Sequence, residues 1–163
     1  MKKLIYTLLI IIALTNNSFS AGSSDDNNST PKLSDYSKAK NLIKAAKKYE
    51  KKSKVEKARK RYAKAQKLLL KSNEKKPLQA DTLNYLGFTT RKLGDYKKGE
   101  EFYLQGLQIE PNHKGINEYL GELYVVTNRI DLANERLEVL KNCNCEEYNE
   151  LKEIIEGTKK SKY

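Results

Sequence analysis

The sequence predicts an all-α fold: an α-solenoid of about three helix hairpins, finished by a C-terminal capping helix. Three observations carry this. Apolar and small residues recur at steps of three and four through Leu83, Leu86, Gly87 and Thr90, and again through Tyr96, Gly99, Phe102, Tyr103, Gly106, Leu107 and Ile109, which is the period of an amphipathic helix. Gly94-Asp95 closes the first run and Pro111-Asn112 the second, so two antiparallel helices meet at a tight turn. The unit then repeats. A shift of 34 residues places Tyr85, Leu86 and Gly87 on Tyr119, Leu120 and Gly121. A shift of 41 the other way places Gly87 on Ala46, Tyr103 on Tyr62 and Gly106 on Ala65. One such hairpin cannot bury its apolar face alone, and stacked copies build a continuous core.

In chain order, the first twenty residues stand apart from the fold. Met1-Lys2-Lys3 is cationic, residues 4–14 are apolar except for Tyr6 and Thr7, and Ser18-Phe19-Ser20-Ala21 offers small side chains. This is the layout of a secretory signal peptide cut after Ser20. An uncut anchor is the alternative, but the apolar run is short of the roughly 20 residues a spanning helix needs. The expectation is an exported chain, periplasmic or secreted, and dense Lys, Asn, Ile and Tyr usage fits a bacterium with an AT-rich genome. Residues 22–31 are polar and small, with no apolar surface to offset ordering entropy, and residues 21–34 are expected to be a disordered linker.

A helical domain is expected over residues 35–157, with units at about 39–72, 80–113 and 114–147, a capping helix at 147–157 and a frayed tail at 158–163. Ser34 or Asp35 can cap the first helix, which shows Tyr36, Ala39, Leu42, Ile43, Ala46 and Tyr49 on one face. Ser53-Lys54 holds the place of Gly94-Asp95, a weaker turn that leaves one long helix over 36–70 as a competitor. Val55, Ala58, Tyr62, Ala65 and Leu68 favour the hairpin, because they match the second helix of the repeat. Residues 72–79 lengthen this unit, as a longer helix or as a loop ended by Pro77. The third unit turns near Asn128. The last helix carries Tyr148, Leu151, Ile154 and Ile155 inward, glutamates outward, and Gly157 as a stop.

Leu83-x-x-Leu86-Gly87, Gly94-Asp95-Tyr96, Gly99, Tyr103, Gly106 and Pro111 together resemble a tetratricopeptide (TPR) repeat, here of a small exported bacterial type. The middle unit resembles it well and the outer two are degenerate. Gly99 and Gly106 stand where the family prefers Ala, and Thr90 where it prefers Tyr. Each interior Gly costs a helix about 1 kcal/mol, so this helix is expected to lean on its neighbours. The resemblance implies a groove, made by the first helix of each unit, that takes an extended peptide or a helix. Asp81, Asn84, Phe88, Arg91 and Lys92 share the relevant face of the middle unit, followed by Glu118, Glu122 and Val125 in the next. Phe88, an aromatic among charges, is the expected anchor. The carboxylate clamp of some chaperone cofactors in this family is not evident, because the third unit offers Glu where that clamp uses Lys and Asn.

Charge is unevenly placed. Residues 36–76 hold 17 Lys and Arg against three Glu, a net +14, whereas residues 77–163 sum to −3. Lys44, Lys47, Lys48, Lys51, Lys52, Arg59, Lys60 and Arg61 form a basic patch that could attract an anionic membrane surface. Nucleic acid is disfavoured by the export signal and the absence of a recognisable module, and a homo-oligomer joining basic and acidic ends is a further option. Chemistry finds little foothold. There is one His, His113, with no ligand spacing around it, no phosphate loop and no nucleophile motif; no metal, cofactor or catalytic residue is expected. Cys143-Asn144-Cys145 reads as a disulfide in an exported chain or as a small core residue followed by a turn residue. The functional expectation is a non-catalytic adaptor for a protein or peptide of the cell envelope, with anionic lipid binding through the basic helix pair as the alternative.

Overall fold

The computed structural model describes residues 33–161. The expected signal peptide and most of the expected linker lie outside the described residues. Seven α-helices and no strand occur among the described residues: α1 (Asp35–Glu50), α2 (Val55–Lys75), α3 (Ala80–Lys92), α4 (Tyr96–Ile109), α5 (Lys114–Val126), α6 (Ile130–Leu140) and α7 (Glu146–Ile155). They pair as α1–α2, α3–α4 and α5–α6, and α7 packs on α5 and α6 as a fourth first helix would. This is a TPR-like α-solenoid. None of these helices is long and apolar enough to cross a membrane.

The hairpin turns follow from local chemistry. Gly94 takes φ +103°, a backbone open to glycine and strained for other residues, and Asp95 then caps α4 by accepting from the Lys98 amide at 2.9 Å. In the first unit Ser53 adopts φ +54° instead, so the chain turns and the single-rod alternative is excluded. Asn128 does the same at φ +58° between α5 and α6. Residues 72–79 divide between the two expected forms: α2 continues to Lys75, and a short loop follows. Ser34 caps α1, accepting from the Ser37 amide at 3.1 Å.

Two clusters make the core. Ala39, Ile43, Ala46, Ala58, Tyr62, Ala65 and Leu69 meet Leu83, Leu86 and Phe88 in the first. Ala80, Tyr103, Ile116, Leu120, Leu123, Tyr124 and Ala133 form the second. Arg129 links the third hairpin to the second through a two-pronged pair with Glu100, at 2.9 and 2.7 Å.

The expected tail is described as far as residue 161, where it folds back on α7. Gly157 takes φ +73°, which turns the Thr158 and Lys159 amides back onto the Glu153 carbonyl at 3.0 and 3.1 Å. Lys159 then pairs with Glu150 and Glu153. A helix end with orphan carbonyls recruits such donors, a step that the polar composition of the tail did not reveal.

Candidate functional site: a groove across the first helices

Helices α1, α3 and α5 and the start of α7 line one continuous surface track. Its first section, about 600 Å³, is lined by Lys40, Asn41, Ile43, Lys44, Lys47, Lys48, Lys51 and Tyr85. Tyr85 also borders the middle section, about 410 Å³, with Asp81, Asn84, His113, Glu118, Tyr119 and Glu147 among its other walls. Glu118, Tyr119 and Glu147 continue into a last section of about 220 Å³, completed by Glu146 and Glu150. The second helices of the hairpins contribute nothing to these walls. Lysines thus hold one end, glutamates the other, and two tyrosines the middle.

The expected groove residues meet a different fate from the one assigned to them. Asp81 is exposed, and Lys92 and Val125 are half-buried. Asn84, Phe88, Arg91, Glu118 and Glu122 are buried, Phe88 to 1% and Glu122 to 0% exposure. Phe88 is therefore a core aromatic and not an open anchor. The reason is the position of α3, which touches α1, α2, α4 and α5 and leaves few side chains uncovered. The Phe88 ring lies 5.7 Å from that of Tyr62 and 5.1 Å from that of Tyr119, and the Lys47 ammonium sits 4.6 Å above it.

A polar network runs through the interior of the stack. Arg91 Nη1 donates to the Tyr119 carbonyl at 2.6 Å, and Nη2 lies 3.3 Å from Glu122. Lys92 pairs with Glu50, which also accepts from the Tyr62 hydroxyl at 2.7 Å. Lys47 donates to the Tyr119 hydroxyl at 3.2 Å. Burial pushes the phenols of Tyr62 and Tyr119 well up, reinforced by Glu50 at Tyr62 and by Glu118 at Tyr119. Glu118, Glu122 and Glu150 bring carboxylate oxygens within 4.8 Å of one another. Arg91 and Lys159 supply positive charge to this cluster. Three carboxylates could geometrically hold a cation, but acidic groups gather without one, and these already have cationic neighbours.

The basic patch is not one surface. Lys44, Lys47, Lys48 and Lys51 line the track. Arg59 lies in a separate crevice with Glu50, Tyr62, Arg91 and Tyr96, and the Arg61 guanidinium sits over the Tyr49 ring. Lys52 is exposed in the turn and Lys60 on α2. A hairpin turns its two helices to different neighbours, which divides residues that are adjacent in sequence. Cys143 and Cys145 form a disulfide, with Cα atoms 5.2 Å apart, in the turn before α7.

Several contributors were missed in the sequence. Tyr85 and Tyr119, which the 34-residue shift aligned, read as packing positions; they are half-buried and face the track as well. Glu146 and Glu147 read as an ordinary solvated face. His113 is more than a solvated loop residue: its Nδ1 caps α5 by accepting from the Ile116 amide at 3.1 Å, and Nε2 lies 3.3 Å from Asp81.

No protein-family model matches the chain. A 73-residue stretch is 40% identical to the Sol locus transcriptional repressor of Clostridium acetobutylicum, covering 42% of this chain and 23% of that protein. The match thus spans under a quarter of that relative. Among solved structures the chain is similar to the first TPR of Spaghetti (RPAP3) bound to the HSP90 peptide SRMEEVD, at 20% identity and a TM-score of 0.48, over 77% of this chain and 96% of that one. It is also similar to a chain of the CopN–Scc3 complex, again at 20% identity and TM-score 0.48, over 86% and 83% of the two chains.

Proposed function

We propose that this protein is a non-catalytic adaptor that holds an extended or helical segment of a partner protein along the track over α1, α3 and α5. One observation carries the reading: the track is continuous across three first helices and offers half-buried Tyr85 and Tyr119 between charged walls. Half-exposed aromatics give contact area at low ordering cost, and charged rims add specificity. The proposed setting is the cell envelope, on the strength of the signal-like residues 1–20, which lie outside the described residues.

Photo-crosslinking in cells tests it, with the reactive residue at Tyr85 and a control at Gln105, exposed on α4. The crosslinked segment is mapped, synthesised and titrated against wild type and Tyr85→Ala. The expected result is an adduct specific to position 85 whose segment binds wild type and loses about tenfold on Tyr85→Ala. Equal adducts at both positions, or a segment indifferent to Tyr85→Ala, would overturn the reading.

A further inference from the structure

Opposite charges stand at the two ends of the track, lysines on α1 and glutamates at the start of α7, where Lys159 pairs with Glu150. Lys40, Lys44, Lys48 and Lys51 are exposed on α1, and none forms an ion pair among the described residues. At the far end Glu146 is exposed and Glu147 half-buried, and neither forms an ion pair among the described residues. Packed helices sit roughly 10 Å apart, and α1 lies three first-helix steps from α7, so the exposed lysines of α1 and the glutamates at the start of α7 are separated by roughly 20 Å or more. That exceeds the Debye length of about 8 Å at physiological ionic strength. A ligand therefore meets two separate fields of opposite sign, with tyrosines between them.

Resting on the groove reading above, we infer that the cognate ligand is a bipolar segment of a partner protein, with an acidic block on α1 and a basic block against α5 and α7. An extended chain advances about 3.3 Å per residue, so about six residues separate the blocks. The spacer is neutral and carries apolar or aromatic side chains for Tyr85 and Tyr119. Opposite fields also exclude competitors, because a uniformly acidic segment is repelled at the glutamate end and a uniformly basic one at the lysine end.

Labelled synthetic 12-mers of known composition test this on the full chain by fluorescence anisotropy at physiological salt. One has three acidic residues, six neutral residues including Tyr and Leu, and three basic residues. The others are an alternating-charge peptide of the same composition, an all-acidic one and an all-basic one. The bipolar peptide is expected to bind about tenfold tighter than the alternating one, the order that a few exposed ion pairs give together, and tighter than either single-sign peptide. Lys44→Glu/Lys48→Glu should cost the bipolar peptide about tenfold and improve the all-basic one; Glu146→Lys/Glu147→Lys should improve the all-acidic one. Circular dichroism verifies that these exposed substitutions leave the helices intact.

Equal binding of bipolar and alternating peptides, weakened by Tyr85→Ala, would overturn the bipolar ligand and leave the groove reading standing. Failure of every peptide, with no effect of Tyr85→Ala, would remove both. Concentration-dependent self-association abolished by Lys44→Glu/Lys48→Glu would make the occupant a second copy of this chain. Sedimentation with phosphatidylglycerol vesicles abolished by the same pair would make it a lipid surface. Either of these overturns the proposal.

Discussion

The first and second hairpins share a pattern of large and small residues, but they are held together differently. In the first, Ala46 packs at the position equivalent to Gly87, and Tyr62 at that of Tyr103. Helix α1 buries only Ala39, Ile43 and Ala46, and its other side bristles with lysine. Helix α3 buries ten of its thirteen residues, among them Thr89, Thr90 and Arg91. The sequences differ less than the surroundings: α1 lies at one end of the stack, while α3 has helices on several sides. Place in the stack decides whether a polar side chain faces water or becomes part of a buried network, and the network is where breaking the comparison costs most.

Arg91→Ala is expected to have the largest effect. It removes the cation next to Glu122, whose side chain has 0% exposure, and the donor to the Tyr119 carbonyl. Breaking a buried pair by deleting one partner costs about 3–5 kcal/mol. Lys48→Ala, on the exposed side of α1, should stay within about 0.5 kcal/mol. Urea unfolding followed by circular dichroism checks both; equal effects would erase the contrast between the helices.

That contrast marks how much could be read from the chain itself. Turn chemistry and small residues announce the hairpins, because Gly94, Asp95 and Pro111 act through local backbone preferences. Phe88, Arg91 and Glu122 resisted the same treatment. Helical periodicity assigns a side chain to a face, but whether that face is covered depends on neighbours far along the chain, such as Lys47, Tyr62 and Tyr119 for Phe88. Arg91 and Tyr119 are brought together only by stacking of consecutive units. Lys44 and Arg59 failed in the opposite sense: near in sequence, they end on different surfaces.

The Gly87 and Ala46 positions sharpen the comparison at smaller scale. A Cβ on Gly87 would stand 2.5 Å from the Tyr103 ring, which is rigid and fully buried. Overpacking of this kind costs about 1–3 kcal/mol, set against up to about 1 kcal/mol of helix propensity gained. Gly87→Ala should therefore lower stability by about 1–2 kcal/mol. Ala46→Gly should also destabilise, by about 1–2 kcal/mol, through lost helix propensity and the lost packing of a buried methyl. A stabilised Gly87→Ala protein would show that the two hairpins are spaced alike.

High pH acts on all three hairpins at once, and its effect is nil near neutrality. Burial raises the phenols of Tyr62, Tyr103 and Tyr119 above their ordinary value near 10. The folded state then keeps protons that the unfolded state releases. The contribution is complete below pH 10 and declines as pH rises above it. Ultraviolet titration of tyrosinate should show these phenols ionising together with helix loss. Smooth ionisation in a still-helical protein would contradict their burial.

The smallest expected effect on binding concerns the turn between α6 and α7. Closing so short a loop restricts the unfolded chain little, and about 1–2 kcal/mol is expected from the Cys143–Cys145 link. The apolar anchors on either side are Leu140 and Leu151, both buried, and α7 also packs on α5 through Leu151. These contacts, rather than the disulfide, should keep Glu146 and Glu147 at the edge of the track. Cys143→Ser/Cys145→Ser should therefore lower stability by about 1–2 kcal/mol in urea and change binding of the bipolar peptide by less than twofold. If binding falls tenfold while the helices remain, the acidic end is positioned by the turn itself, and the two ends of the track would be held by unlike means: packing at the lysine end, a covalent link at the other.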